Sequence, residues 1–447
     1  MKNTIFIFFF AGLLFNCDPL DVKPTDLIPA EDALTTGKGL QAALVGVYDG
    51  LQREDIAQSI IVFGDLAADN LEPVGSRIAY REVFNNRITP SNIRVEGIWN
   101  AHYDVLNRAN NILAQIDAVD VSNTTKTNIK GQLLFIRAFA HFNLWRLFGP
   151  IPIKTSPING ITDDDLNNPR NADSEVYAQI IADLNEALTN LAGTGKGDPT
   201  LANEGAALAL AARVELFAGN YPAVITHTEK LMDFGYSLTD ADLYSALYDE
   251  AVDDEETIFE ISFSDDDVNS LADYFQPTAR FELAVTSEAA AIYNEGDTIR
   301  GDISAIPLDQ TFYNNKYTDI SLDSDNAIIL RYADVLLMRA EALNAISYTT
   351  DSEAFDLINA VRNRANLDSV NATSIANQAT FQLEIIAERR KEFLGEGHRW
   401  YDLKRTNTAF DVLSATKNIE PTDLLFPIPQ SELDTNKHPE MTQNDGY

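Results

Sequence analysis

Apolar residues along this chain recur mainly at three- and four-residue spacing, the period of helices that lie with one face on a core. The clearest run is Gln132–Phe148, where Phe135, Phe139, Phe142, Trp145 and Phe148 share one broad face. Such an aromatic stripe is packing surface. Gly149-Pro150 ends it, because glycine accepts positive φ and proline cannot extend the hydrogen-bond ladder. Ile329–Ile346 repeats the pattern, with Leu330, Ala333, Leu336, Leu337, Ala340 and Leu343 turned inward. The same period predicts helices over Val95–Ile116, Ser174–Leu191, Ala206–Phe217, Ala223–Met232, Glu353–Ala365 and Phe381–Phe393. Thr257–Phe263 reads as a strand.

Small residues group the helices into pairs. Ala206–Leu231 is a helix, an Ala-Gly-Asn-Tyr turn and a second helix; Ile329 onward gives another helix, a connector at Ser347–Asp351 and a third. Alanines every three or four positions let two helices pack closely, and pairs of this kind bury their apolar faces by stacking. The expected class is mainly α with little β: a tetratricopeptide-like scaffold of helix pairs, more suited to binding than to catalysis. Two segments differ in character. Residues 66–94 carry Asn70, Arg77, Tyr80, Arg81, Phe84 and Asn85, and residues 249–325 carry Tyr274, Phe275, Arg280 and Phe281. Loops on a rigid frame concentrate binding residues. Exposed aromatic rings cover the C–H face of a pyranose while Arg, Asn and Asp take its hydroxyls. Asn70, Arg77, Tyr80, Arg81, Phe84, Tyr274, Phe275, Arg280 and Phe281 are therefore the candidate glycan-binding residues, against the alternative that each aromatic packs beneath its loop.

Composition narrows the partners. The 447 residues include 68 acidic and 33 basic side chains, a net charge of −35, which argues against a nucleic-acid ligand and favours a neutral glycan over an anionic one. The one cysteine, Cys17, makes no internal disulfide. Lys2 and the apolar run Ile5–Phe15 form a signal-peptide core too short to span a bilayer. Leu14-Phe15-Asn16-Cys17 resembles a bacterial lipoprotein cleavage site, so residues 1–16 are expected to be removed and Cys17 lipidated. Residues 17–29, with three prolines and several acids, then form an extended tether, and residues 30–447 a single body.

A search for catalytic chemistry finds no His-Glu-x-x-His pair, no phosphate loop and no Gly-x-Ser-x-Gly elbow. The Gly193–Gly197 run is a connector after a helix. Asp265–Asp267 and Asp323–Asp325 lack the glycine and glutamate of a calcium loop and read as solvated acids. No metal, cofactor or catalytic residue is expected. The alternatives are a secreted polysaccharide-active enzyme and a peptide-binding helical adaptor.

Four blocks carry a family resemblance. They are Ile136–Ala140 continuing to Leu147-Phe148-Gly149-Pro150-Ile151-Pro152; Leu330–Leu337 with Ala340-Glu341-Ala342; Glu388–Phe393 with Glu396–Arg405; and Phe426-Pro427-Ile428-Pro429 with Glu432 and Gln443–Tyr447, where Asp445 stands in place of a usual proline. In this order they resemble the SusD/RagB surface lipoproteins of Bacteroidota, which serve polysaccharide utilisation and nutrient import. The resemblance implies four tetratricopeptide-like helix pairs, an outer-membrane location facing the exterior, and a SusC-like TonB-dependent transporter as partner. Acids after the lipidated cysteine, as at Asp18, are common in these exported proteins. The blocks themselves read as structural. Acids and bases alternate through Glu388–Arg405 and suit buried Arg–carboxylate links, and Arg331 and Asp334, three apart, are expected to pair on one helix.

Overall fold

The computed structural model describes residues 34–447 except 159, 161, 163–165, 250–253, 265, 295 and 323. The signal peptide, Cys17 and the tether lie outside the described residues, as do Asp265 and Asp323 of the acidic loops. The principal helices are α1 (Gly37–Leu51), α2 (Ala57–Leu66), α3 (Ile78–Phe84), α4 (Ile93–Gln115), α5 (Asn123–Phe148), α6 (Asp173–Asn190), α7 (Glu204–Ala218), α8 (Tyr221–Met232), α9 (Tyr332–Ile346), α10 (Glu353–Arg364), α11 (Gln378–Phe393) and α12 (Arg399–Arg405).

Local chemistry sets their ends. Ser122, Asn92 and Asn203 cap α5, α4 and α7, each side-chain oxygen accepting from a backbone N–H of the first turn. Gly149 closes α5 at φ 71°, and Gly219 closes α7 in the left-handed conformation. The helices then pack as a continuous row: α1 on α4, α4 on α5, α5 on α6, α6 on α7, α7 on α8, α8 on α9, and α9 on α10 and α11. The alanines of α7 do what their spacing implies, with Ala206, Ala207, Ala209, Ala211 and Ala212 buried between neighbours. On α5, Phe135, Phe139, Phe142 and Phe148 are buried. Half-buried Trp145 packs its ring 5.2 Å from Phe217 and donates its indole N–H to Asp173 at 2.7 Å.

Strands are few and short: β1 (Leu71–Pro73), β2 (Thr257–Ile261), β3 (Leu283–Val285), β4 (Ile306–Leu308), β5 (Thr311–Tyr313) and β6 (Ala327–Arg331). β1, β3, β5 and β4 form one antiparallel sheet in that order, and β2 pairs with β6. The register Leu71↔Val285 ties the segment around residue 70 to the segment around residue 280.

The helix expected from Ile329 begins instead at Tyr332. Residues 327–331 are strand, because Ile328, Ile329 and Leu330 suit an extended run whose backbone pairs with β2. One expected ion pair changes as a result. Arg331, at φ −142°, leaves the helical path and meets Glu256, Glu392 and Glu396, whereas Asp334 binds Arg213 and Arg389.

The Glu388–Arg405 block does form buried links. Arg389 joins Asp334 at 2.6 Å and Asp402 at 2.8 Å, Arg300 joins Glu388 and Glu392 at 2.6 and 3.0 Å, and Lys316 reaches Glu396 at 2.6 Å. Central α2 is buried along its whole length. A Cβ on its Gly64 would lie 1.9 Å from the Gly397 carbonyl oxygen, so glycine is what lets the two backbones cross. Next to it, Asp65 accepts from the N–H groups of Gly395 and Gly397 at 2.8 and 3.1 Å. Burial lifts its carboxyl to about 6.

Candidate functional site

The β1–β3 pairing brings together residues that lie some two hundred positions apart in sequence. Around the N-terminal ends of α3 and α4 lies a cleft of about 570 Å³, lined by residues including Arg77, Ile78, Tyr80, Asn92, Ile93 and Arg94. That size is within the usual range for small-ligand sites. Asn92 builds one edge twice over: it caps α4, and its amide donates to Ala79 O and to Glu82 Oε2.

Beneath the cleft, Tyr80 and Tyr274 meet edge to face at 6.1 Å. Arg77 lies 5.9 Å from each ring centre, Arg94 5.7 Å from Tyr80 and Arg280 5.0 Å from Tyr274. Every guanidinium also has a carboxylate: Arg77 with Glu282 at 2.5 Å, Arg94 with Glu54 at 2.6 Å, and Arg280 with Asp273 at 2.8 Å. The Tyr274 hydroxyl donates to Glu54. Burial alone would lift the Glu54 carboxyl, but hydrogen bonds from Arg94 and Tyr274 hold it below its ordinary value. Burial, with Tyr80 and Glu54 adjacent, pushes the Tyr274 hydroxyl up, so it stays a donor at any ordinary pH.

Of the candidate residues, Arg77, Tyr80, Tyr274 and Arg280 converge here. Arg81 and Phe84 face the other side of α3, where a depression of about 480 Å³ also takes in Lys417. The Lys417 ammonium sits 4.5 Å over the Phe84 ring and is drawn down to about 7 by burial. Ile78 and Glu82 line both hollows, so α3 is the ridge between them. Phe281 is half-buried at φ 43°.

The expectation of exposed aromatics needs correction. Tyr80 and Tyr274 are buried to 3% and 1% exposure, because each ring is sandwiched by the other and by guanidinium groups. Phe275 is fully enclosed and stacks on Tyr317 at 6.1 Å. Asn70 is also enclosed, donating to Asp65 at 2.7 Å and accepting from Arg390 at 2.9 Å. The apolar surface comes instead from two residues outside the candidate set, Ile78 and Ile93, which are 74% and 71% exposed. Each opens its helix, where an apolar side chain has no core to reach. An isoleucine directly after a cap, off the apolar face, was the signal that would have found them.

Comparison with known proteins accounts for this architecture. Residues 304–447 match the model described as "SusD family", and residues 18–216 match "Starch-binding associating with outer membrane". A SusD-like protein of Formosa agariphila is 27% identical across 99% of this chain and 98% of its own. Among solved structures, a putative sugar-binding protein from Bacteroides vulgatus superposes with TM-score 0.81 at 24% identity, covering 93% of this chain and 99% of that one. Surface glycan-binding protein A from Bacteroides thetaiotaomicron, in complex with laminarihexaose, superposes with TM-score 0.79 at 21% identity, covering 92% and 100%. With two matches to models of this family, over residues 18–216 and 304–447, that together take in about three quarters of the chain, the chain belongs to the SusD/RagB family of outer-membrane-associated, non-catalytic glycan-binding proteins.

Proposed function

We propose that this protein captures a neutral oligo- or polysaccharide in the cleft beside α3 and passes it to a TonB-dependent outer-membrane transporter. A lipid on Cys17 would hold it at the cell surface. The family match at both ends of the chain carries this reading. The cleft supports the ligand class. Ile78 and Ile93 offer apolar surface for a sugar face, and Arg77, Arg94 and Glu54 offer donors and acceptors for hydroxyls. Three guanidinium groups there meet four carboxylates, Glu54, Asp55, Asp273 and Glu282, so the site has no positive excess to attract an anionic glycan.

Laminarihexaose, held by the Bacteroides thetaiotaomicron protein, is uncharged and is the natural first probe. Calorimetry against laminarin, other neutral glycans and an anionic control tests the reading. The expected result is saturable binding to a neutral glycan, weakened in Arg77→Ala and in Ile78→Ser/Ile93→Ser, with no product released. Glycan cleavage, or unchanged affinity in both variants, contradicts the assignment. Delivery is tested separately, by co-purification of a β-barrel transporter with the protein from native outer membranes.

A further inference from the structure

A second cavity, of about 30 Å³, lies between α5, α7 and the α11–α12 block, away from the cleft. It has room for one water or one monatomic ion, the share of a water in the liquid being about 30 Å³. Its polar lining is mainly cationic: Arg146, Arg213, Arg389 and Arg405, beside Asp402, Tyr401 and His398. Three of the arginines are matched by carboxylates. Asp334 takes Arg213 at 2.7 Å and Arg389 at 2.6 Å, Asp402 takes Arg389 and Arg405, each at 2.8 Å, and Glu341 takes Arg405.

Arg146 is different. It is 5% exposed and has no carboxylate among its described ion pairs. It donates to Asn143 at 2.5 Å and stacks 3.7 Å over the Tyr401 ring, and its Nε–H has no hydrogen-bond partner. The Tyr401 hydroxyl, also buried, has none either. Lys404 donates to the Arg146 carbonyl at 2.6 Å, and burial draws its ammonium down to about 7, so it adds only part of a charge at neutral pH. Burial and Arg213 draw the Arg146 guanidinium down only to about 10, so it is charged at neutral pH. Burial holds His398 down at about 3, so that imidazole is neutral. The buried Asp65 carboxylate also acts on Tyr401, but no carboxylate pairs with Arg146, so its buried guanidinium keeps a donor unmet, a costly arrangement.

We propose that this cavity binds one monovalent halide, chloride under ordinary conditions, between the unpartnered donors of Arg146 and Tyr401. The test uses the purified folded protein without glycan. Crystals soaked in bromide are expected to show one anomalous peak in this cavity. Thermal melts at constant sodium concentration are expected to give a midpoint that rises with the logarithm of chloride or bromide but not with gluconate. Arg146→Met should abolish that halide dependence. Tyr401→Phe should raise the halide concentration needed for half the effect by about tenfold, the worth of one hydrogen bond to a charge. A cavity holding water only gives no anomalous peak and identical midpoints in chloride and gluconate, and overturns the proposal. Halide dependence that persists in Arg146→Met also overturns it. If that variant does not fold, the bromide peak in the unmodified protein decides.

Discussion

Glu396→Gln removes one charge while keeping the side chain's shape, which isolates the electrostatic contribution of the buried network. The carboxylate receives Arg331 through two hydrogen bonds of 2.7 and 2.9 Å, the Lys316 ammonium at 2.6 Å and the Tyr248 hydroxyl at 2.8 Å. Burial alone would raise its pKa, but Arg331 and then Lys316 outweigh that and hold it at about 2 against an ordinary 4.5. At about 1.4 kcal/mol per pH unit, the depression corresponds to about 3 kcal/mol of stability. Breaking a buried pair by removing one partner costs about 3–5 kcal/mol in other proteins, so the two routes agree. The sign follows from proton linkage. The folded state binds fewer protons than the unfolded chain, so this stabilisation is complete above about pH 4.5 and is lost as pH falls towards 2. Urea unfolding, read on tryptophan fluorescence, to which buried Trp99 and Trp400 contribute, should put Glu396→Gln about 3 kcal/mol below the unmodified protein at pH 7. The gap should close as pH approaches 2. A gap below about 1 kcal/mol at pH 7, or one that stays constant down to pH 2.5, would refute an ionised Glu396.

Three other substitutions probe different parts of the chain. Gly64→Ala drives a methyl group against the Gly397 backbone, which no rotamer change relieves, and should cost about 3 kcal/mol or more in the same urea titration; an unchanged midpoint would disprove the close crossing. Asn444→Ala strips the Phe148 and Phe426 carbonyls of donors at 3.0 and 2.7 Å and frees Arg170 from its 2.5 Å contact. It should cost about 2 kcal/mol and loosen the C-terminal tail to proteolysis, and a tail as resistant as before would contradict that role. Cys17→Ala should move the protein from the membrane fraction to the soluble one; retention in the membrane pellet would rule out the lipid anchor.

The helical frame was legible because packing against one core imposes a period, and that period survives in the sequence. The Phe135–Phe148 stripe and the alanines of α7 are surface requirements written at three- and four-residue spacing. Strand 327–331 was hidden because Ile328, Ile329 and Leu330 are buried on every side, and a continuous apolar run carries no period to distinguish strand from helix. The ion pairs of the Glu388–Arg405 block were foreseeable as a class but not as pairs. Arg331 takes partners 61 to 75 residues away in the chain, a choice that only the tertiary fold makes. At the cleft, residue type picked out Arg77, Tyr80, Tyr274 and Arg280, which the fold brings into contact from two distant segments. Composition could not say that two tyrosines would clamp each other below the surface and leave Ile78 and Ile93 to face the solvent.

The buried network and the cleft obey different rules, and the contrast bears on how such a protein changes its ligand. Glu392 is shared by Arg300, Arg331 and Arg364, and Glu256 by Arg331 and Arg364, all buried and drawn from separate segments. A neutral substitution anywhere in that web leaves a partner charge uncompensated in the interior, so its members are constrained together. At the cleft Arg77 and Arg280 are each paired once and keep 38% and 43% of their side chains in solvent. Pairs exposed to that degree contribute little to stability. Ile78 and Ile93 keep most of their surface in solvent. The residues that would meet a glycan are therefore those whose replacement disturbs the frame least. Motifs that identify this family sit in the frame for the same reason, and they carry no information about which sugar is bound.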